Sequence, residues 1–486
     1  MLNLLFALAT SGLLILAFPS FNFAPLATVA LTPLLVALAR EHRHWRRFLL
    51  GYAAGIVYWF GACYWIQFVL EAHGGMGFAG SWGAFLLFCL AKALHMGVFA
   101  LAAGIVIGRW YAIPAVAALW VAVERTHGTL GFAWQALGNA GAKMSVPMRL
   151  APITGVYGIS FVFVMMSAAL ALVAFKRKRQ DLVWLLVLPL LYLLPALPEP
   201  EQGTEQAVLV QPNISETQEW TWNSVVESRD HLATLSLQAA MSEAGRTPKL
   251  LVWPEVPAPW YYDDDPEFRK LATSLARSSR TSFLFGTVAR SPSGAPFNSA
   301  VLIGPGGEFL GRYDKVNLVP FGEYVPRFFG FVNRITKEAG DFEAGSKPVV
   351  FRSEGRRYGT FICYEAVFPE FVRRFAADGA EVFVNISNDG YFGLSAARAQ
   401  HLNIVRMRAA ENRRWMLRAT NDGVTAVIDP AGRVMRILQP FQEGTLRVGY
   451  VPIREQTVYT RWGDWFALLC AIGGIVALIP RKKRAE

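Results

Sequence analysis

Three residues that could act together on a carbonyl lie far apart in this sequence, each where a strand pattern gives way to a turn. Cys363 ends the run Tyr358-Gly-Thr-Phe-Ile-Cys-Tyr-Glu365, just before a helical pattern that starts near Phe368, a geometry resembling a nucleophile elbow. The other cysteines, Cys63, Cys89 and Cys470, sit in apolar stretches, so no disulfide partner is apparent and no paired-cysteine metal pattern exists. A free thiol titrates near about 8.5, so a nucleophilic cysteine needs a base and a nearby cation. Glu255 follows the strand pattern Leu250-Leu-Val-Trp253 and has its direction set by Pro254. Lys315 lies in Gly311-Arg-Tyr-Asp-Lys-Val-Asn-Leu-Val-Pro-Phe-Gly-Glu-Tyr-Val-Pro326, together with Glu323. A lysine that keeps its proton suits an oxyanion better than a metal.

Each residue also has a plain reading when taken alone. Cys363 would be a small buried hydrophobe, Glu255 a surface turn residue, and Lys315 the partner of Asp314 or Glu323. His231 and His401 both fall in helical stretches, so a Cys-Glu-Lys set is favoured over a Cys-His pair.

The elements that must position these groups follow from the pattern after Glu205. Short β-branched runs, at Ala207–Val210, Leu250–Trp253, Ser282–Gly286, Ser299–Ile303, Thr360–Cys363 and Val382–Asn385, are bounded by turn residues. Helical stretches at Trp222–Ala244, Glu267–Ser278, Phe368–Ala376 and Ala396–Arg413 alternate with them. Such alternation predicts an α/β sandwich of about 260 residues.

The rest of the chain is of another kind. Over 486 residues, 53% are hydrophobic and only 17% charged, which excludes an ordinary soluble protein and predicts a membrane α-helical bundle. Apolar runs suggest about eight spans, seven in 1–198 and one in 463–486, around a soluble domain at 199–462. Basic clusters at Arg40–Arg47, Lys176–Arg179 and Arg481–Arg484 follow the second, sixth and last of them. By the positive-inside rule these clusters are cytoplasmic and the soluble domain faces the opposite side. The net charge of +11 then needs no nucleic acid, because basic anchors beside anionic lipid supply much of it.

Taken together, Trp253-Pro-Glu255, Asp314-Lys-Val316, Ile362-Cys-Tyr-Glu365 and Asn385-Ile-Ser-Asn-Asp-Gly-Tyr-Phe392 resemble the nitrilase superfamily. With the flanking spans, Gln211-Pro-Asn-Ile214 and Ser387-Asn-Asp-Gly-Tyr-Phe-Gly393, the whole chain is similar to its membrane-embedded apolipoprotein N-acyltransferase branch. The resemblance implies an αββα sandwich and a triad of Glu255 as proton acceptor, Lys315 at the oxyanion and Cys363 as nucleophile. It implies support from Glu323, Tyr364 and Glu365, with no metal and no cofactor. The implied partners are a phospholipid acyl donor, typically phosphatidylethanolamine, a diacylglyceryl-apolipoprotein acceptor, and the bilayer of the bacterial inner membrane, with the catalytic domain periplasmic. The implied route is a thioester acyl-enzyme resolved by the acceptor's α-amino group. Trp134, Trp220, Phe328 and Phe331 are candidate lipid or substrate contacts, their aromatic rings suiting an interface.

Two rival readings remain open on the residues alone. A membrane-anchored amidase or nitrilase would share the triad but release its product to water. A transporter could use Lys92 and His95, one helical turn apart in the fourth span, although a structural polar pair inside the bundle accounts for them as well.

Overall fold

Runs of Val, Leu, Ile and Phe that end at Pro, Gly, Asn or Asp fold as strands. The computed structural model describes residues 1–129, 132–175, 179–242, 247–320, 322–324 and 342–480. In chain order its strands are β1 (Glu205–Gln211), β2 (Leu250–Val252), β3 (Ser282–Arg290), β4 (Pro296–Ile303), β5 (Phe309–Asp314) and β6 (Val350–Ser353). They continue with β7 (Arg356–Ile362), β8 (Val382–Ser387), β9 (Met416–Thr420), β10 (Ala426–Ile428), β11 (Val434–Ile437) and β12 (Gly444–Tyr450). They form two six-stranded sheets, ordered β12-β1-β2-β3-β4-β5 and β11-β10-β9-β8-β7-β6. In each sheet three neighbouring strands are parallel, β1-β2-β3 and β7-β8-β9, and the outer pairings are antiparallel.

Helices Trp222–Met241 and Pro266–Ser279 cover the first sheet, while Pro369–Ala377 and Ala397–Asn412 cover the second. The two sheets meet through β1 with β9 and β4 with β7, which makes an αββα sandwich. The first outer helix starts at Thr221, whose hydroxyl accepts from the Ser224 amide, and the second at Asp265, which accepts from Glu267 and Phe268. Phe268, Ala272, Leu275 and Ala276 place one apolar stripe on the sheet, against a core of Val208, Leu251, Trp253, Phe283 and Phe285.

Helix Ala397–Asn412 is buried on nearly every side despite carrying Arg398, His401, Arg406, Arg408 and Glu411. Several of its charged groups find partners inside the fold: Arg408 meets Glu411 at 2.8 Å, Arg398 meets Asp422 at 2.8 Å, and Arg406 donates to the Gly432 carbonyl at 2.7 Å. A helix that buries so much polarity serves a constructed interior rather than a solvent face.

Residues cluster into two units, Phe68–Ser81 with Pro198–Arg461, and Met1–Gln67 with Trp82–Leu197 and Trp462–Glu486. The second of these is helical. Among the described residues, two helices are long and apolar enough to cross a membrane, Gly77–Val106 and Val156–Ala174, and a pair bent by 57°, His44–Ala62 and Trp65–Ala72, makes up to three. The other apolar helices, Leu2–Ala17, Ala24–Arg40, Gln180–Leu193 and Trp465–Leu478, are shorter. The stretch expected as a seventh span is broken into short turns around Pro189, and the basic residues 176–178 and 481–484 lie outside the described residues.

Within this unit Gly51 and Gly55 let two helices touch, since a Cβ there would lie 2.4 Å from the Met96 carbonyl oxygen and 2.8 Å from Ala93 Cα. Lys92 donates to the Phe132 carbonyl at 3.2 Å and lies 4.9 Å over the Trp59 ring, while His95 packs on His127 with ring centres 4.2 Å apart. These contacts match a structural polar pair turned into the bundle.

Candidate active site

The polar groups of the sandwich gather where its strands end. Glu255 follows β2, Lys315 follows β5 and Cys363 follows β7, while Asn388 and Asp389 follow β8 and Asn421 and Asp422 follow β9. Carboxyl ends of parallel strands are where open α/β sheets collect their ligands.

Cys363 sits at the first position of a single helical turn, Cys363–Val367, with φ at +49°. A left-handed cysteine between a strand and a helical turn is strained, and strain of this kind persists only when the surroundings over-determine it. The surroundings here are specific. His401 Nε2 lies 3.1 Å from the Cys363 carbonyl oxygen, and Arg418 Nη2 lies 3.3 Å from His401 Nδ1. Because a carbonyl only accepts, Nε2 carries the proton and Nδ1 accepts from Arg418. Arg418 also holds both Asp389 oxygens at 2.8 Å and binds the Asn385 side chain. Burial would raise the Asp389 carboxyl, but the Arg418 guanidinium keeps it well below the usual carboxylate range. Burial and Arg418 together lower the His401 imidazolium, so the ring is neutral at neutral pH.

Lys315 is 1% exposed and donates to Glu255 Oε1 and Glu323 Oε1, each at 3.0 Å. Both oxygens also accept from Asn298 Nδ2, at 2.7 Å each, so one amide and one ammonium bridge two carboxylates. Burial alone would lower the lysine, but Glu255 and Glu323 hold it well above its ordinary value, so the ammonium is permanent. Asp314 instead binds Arg312 and Ser299. The remaining Glu255 oxygen accepts from the Asn388 amide at 2.8 Å. Glu255 can approach because Gly286 lacks a side chain: a Cβ there would lie 2.7 Å from Glu255 Cα and 2.6 Å from the Pro254 carbonyl oxygen. Val256, next in the chain, has φ at +26°, a conformation rare for a β-branched residue.

The thiol itself rests protonated. Burial first and the Glu255 charge second push Cys363 well above its ordinary value, and Lys315 pulls it back only in part. A protonated thiol beside a carboxylate and a fixed cation suits proton transfer at the moment of attack.

Glu365 joins the two halves. One oxygen accepts from the Val316 and Asn317 amides at 2.7 and 3.1 Å, the other from the Ile362 amide at 2.8 Å, and the Tyr313 hydroxyl reaches both. A single carboxyl therefore spans the loop after Lys315 and the strand before Cys363. Burial raises it to about 7, against the pull of the Ile362 amide and the Tyr313 hydroxyl.

The fold thus brings Glu255, Lys315, Glu323, Cys363 and Glu365 together, and Tyr364 is buried beside them with its ring on Phe368. Trp220 is packed against the core that contains Trp253 and Trp260, as an ordinary core residue would be. Trp134 is fully buried in the helical unit, its ring centre 5.1 Å from that of Trp65. Phe328 and Phe331 lie outside the described residues. Sequence reasoning missed Asn298, Asn388, Asp389, Arg418 and the role of His401. The Ser387-Asn-Asp motif signalled two of them, but nothing in the linear pattern marks an arginine buried in β9.

Residues 207–460 match the carbon-nitrogen hydrolase family, and residues 10–169 match the apolipoprotein N-acyltransferase N-terminal domain. The chain is 34% identical to an apolipoprotein N-acyltransferase of Geobacter metallireducens, over 99% of this chain and 95% of that protein. It is 32% identical to that of Nitrosomonas europaea, over 99% of both, and 32% identical to that of Pseudomonas syringae pv. tomato, over 96% and 95%. Among solved structures, an amidase of Nesterenkonia AN1 from the nitrilase superfamily aligns with a TM-score of 0.41 at 23% identity, over 56% of this chain and 97% of the amidase. At that identity over nearly full length, with both halves matched in order, the chain belongs to the apolipoprotein N-acyltransferase family.

Proposed function

We propose that this chain moves an acyl group from a membrane phospholipid, phosphatidylethanolamine first, to the α-amino group of a diacylglyceryl cysteine that begins an apolipoprotein. The observation that carries the reading is the Lys315 ammonium held by Glu255 and Glu323 beside a strained, protonated Cys363. Glu255 takes the thiol proton as sulfur attacks the ester carbonyl, and Lys315 stabilises the oxyanion. Glu323 keeps Lys315 aimed. The lysophospholipid alkoxide leaves with the proton from Glu255, and a thioester remains on Cys363. The acceptor amine then resolves it, and sulfur regains a proton through Glu255.

We also assign residues 1–198 to a bundle of about seven spans, 199–462 to a periplasmic catalytic domain and 463–486 to a last span with a cytoplasmic tail. Support comes from the apolar helices and from the basic runs that follow three of the expected spans. The location follows as the inner membrane.

Mass spectrometry of the full-length protein given phosphatidylethanolamine tests the chemistry. The expected result is a hydroxylamine-labile acyl mass on the Cys363 peptide, absent in Cys363→Ala. An adduct that never forms, or that persists in the variant, overturns it. Transfer of the acyl group to an amine-bearing lipopeptide, rather than release as free fatty acid, separates the transferase from an amidase-type hydrolase.

A further inference from the structure

The segment that leaves β1, Gln211–Glu216, is stapled to the end of β9 by one residue, Asn421. The Asn213 amide donates to the Asn421 carbonyl at 2.8 Å, the Ile214 amide to Asn421 Oδ1 at 3.0 Å, and Asn421 Nδ2 to the Ile214 carbonyl at 2.8 Å. That same Nδ2 reaches Glu216 Oε1 at 3.2 Å and Asn388 Oδ1 at 3.3 Å. Since the Asn388 amide binds Glu255, two asparagines connect the Glu216 carboxylate to the Glu255 carboxylate. Glu216 also lies over the turn after β8, because a Cβ on Gly390 would meet its Cγ and Oε1 at 2.6 Å.

Glu216 is thus a further carboxylate of this site, and among the described residues no cation pairs with it, whereas Glu255 and Glu323 share Lys315. The residue keeps an exposed face, so an incoming group can reach it. The titratable groups around it are acidic or neutral: Asp422, Glu255 and Tyr391. Asp422 is paired with Arg398 at 2.8 Å, but its Oδ1, buried, has no hydrogen-bond partner among the described residues. Such a place is negative and short of a cation.

We propose, on the basis of the thioester reading above, that Glu216 receives the acceptor's α-ammonium and takes its extra proton before the amine attacks. An ammonium has no lone pair, and with an amine pKa of about 7.8 only about one in twenty is neutral at pH 6.5. The step balances. Glu216 accepts one proton from R-NH3+, and the neutral amine attacks the thioester carbon. As the C–S bond breaks, Glu255 removes the second proton from nitrogen and returns it to sulfur. The products are the amide, the Cys363 thiol and one proton on Glu216, which passes to water. The exposed face of the carboxyl lets the accepted proton pass to water, and the Asn421 contact holds the group in place.

The test uses full-length protein acylated in advance with phosphatidylethanolamine and then mixed with a diacylglyceryl-cysteine lipopeptide from pH 6.5 to 9. In Glu216→Gln, aminolysis should slow by about tenfold at pH 6.5, and the deficit should close to within about twofold at pH 9, where the amine is already neutral. Glu216→Asp should recover part of the loss at low pH. A deficit independent of pH, a matching deficit in acylation, or no deficit at all overturns the assignment. If the wild type itself forms no thioester, the acyl-enzyme reading fails with it; a normal wild type with an unaffected Glu216→Gln sinks this inference alone.

Discussion

His401 binds the carbonyl of Cys363, not its thiol, with Nε2 3.1 Å from that oxygen. The histidine is therefore a positioning residue, and its neutral ring fixes a left-handed cysteine through a hydrogen bond that Arg418 orients from behind. Glutamine can donate a similar N–H, and alanine cannot. His401→Ala should lower the rate of Cys363 acylation by about ten- to a hundredfold, and His401→Gln should restore part of it, read as single-turnover acylation. Equal losses in the two variants would make the contact incidental.

Behind His401, Asp389 and Arg418 are both fully buried, so removing one charge strands the other. Asp389→Asn should destabilise the protein by about 3–5 kcal/mol at pH 7, seen as a lower thermal midpoint in detergent. The sign of its pH dependence follows from a depressed folded-state value. The stability from Asp389 is present above the unfolded value of 3.8 and is lost only as pH falls through the lower, folded one. The gap between wild type and Asp389→Asn should therefore be constant from pH 5 to 8 and narrow only below about 4. A gap that shrinks near pH 6 would mean another group carries it.

Gly286 holds open the space that Glu255 occupies. A methyl group would collide with backbone on both sides of the glutamate, and backbone cannot swing aside as a flexible side chain can. Gly286→Ala should cut acylation by at least about a hundredfold while folded protein is still recovered, because the error is a displaced base at close range. Retained activity would show that the Pro254–Val256 turn is free to shift.

How much of this was legible beforehand depended on what burial does to each residue type. The strand ends bearing Glu255 and Cys363 read clearly because apolar runs stop there at Pro and Tyr, whereas Lys315 stands out only within its glycine- and proline-bearing stretch, since the strand before it, Phe309–Asp314, is not an apolar run. Strand β9 did not, since Arg418 interrupts Met416–Thr420 with a charge that the linear pattern assigns to solvent. Its burial depends on Asp389, 29 residues earlier, which only the folded register brings alongside. His401 lies in a helical stretch, which argues against a thiol base but says nothing about a carbonyl partner. Asn298 was invisible for a similar reason: its value lies in bridging Glu255 and Glu323 across three strand ends.

Glu365 separates two kinds of loss. Its carboxylate accepts from three backbone amides and one hydroxyl, while a glutamine would turn an N–H toward amides that also donate. Glu365→Gln should lower acylation by at least about a hundredfold. Tyr313→Phe removes one donor of four and should cost about 1 kcal/mol of stability with activity largely kept. Comparable losses in the two variants would show that the tie between the Lys315 loop and the Cys363 strand does not depend on acceptor count.

The two effects of Glu255 on Cys363 oppose each other, and one variant separates them. As a base, Glu255 is needed for acylation; as a charge, it raises the resting thiol, second only to burial. Glu255→Gln removes both and leaves the Lys315 ammonium beside the sulfur. The resting thiolate fraction should therefore rise as productive acylation disappears. Iodoacetamide labelling of the Cys363 peptide at pH 7 to 8 should be faster in Glu255→Gln than in the wild type, while the acyl adduct from phosphatidylethanolamine is lost. In the wild type, labelling should climb with pH beyond about 8.5, the range of a free cysteine, because the thiol is held above it. Slower labelling in the variant would mean that Glu255 activates the thiol even at rest, and that proton transfer precedes attack instead of accompanying it.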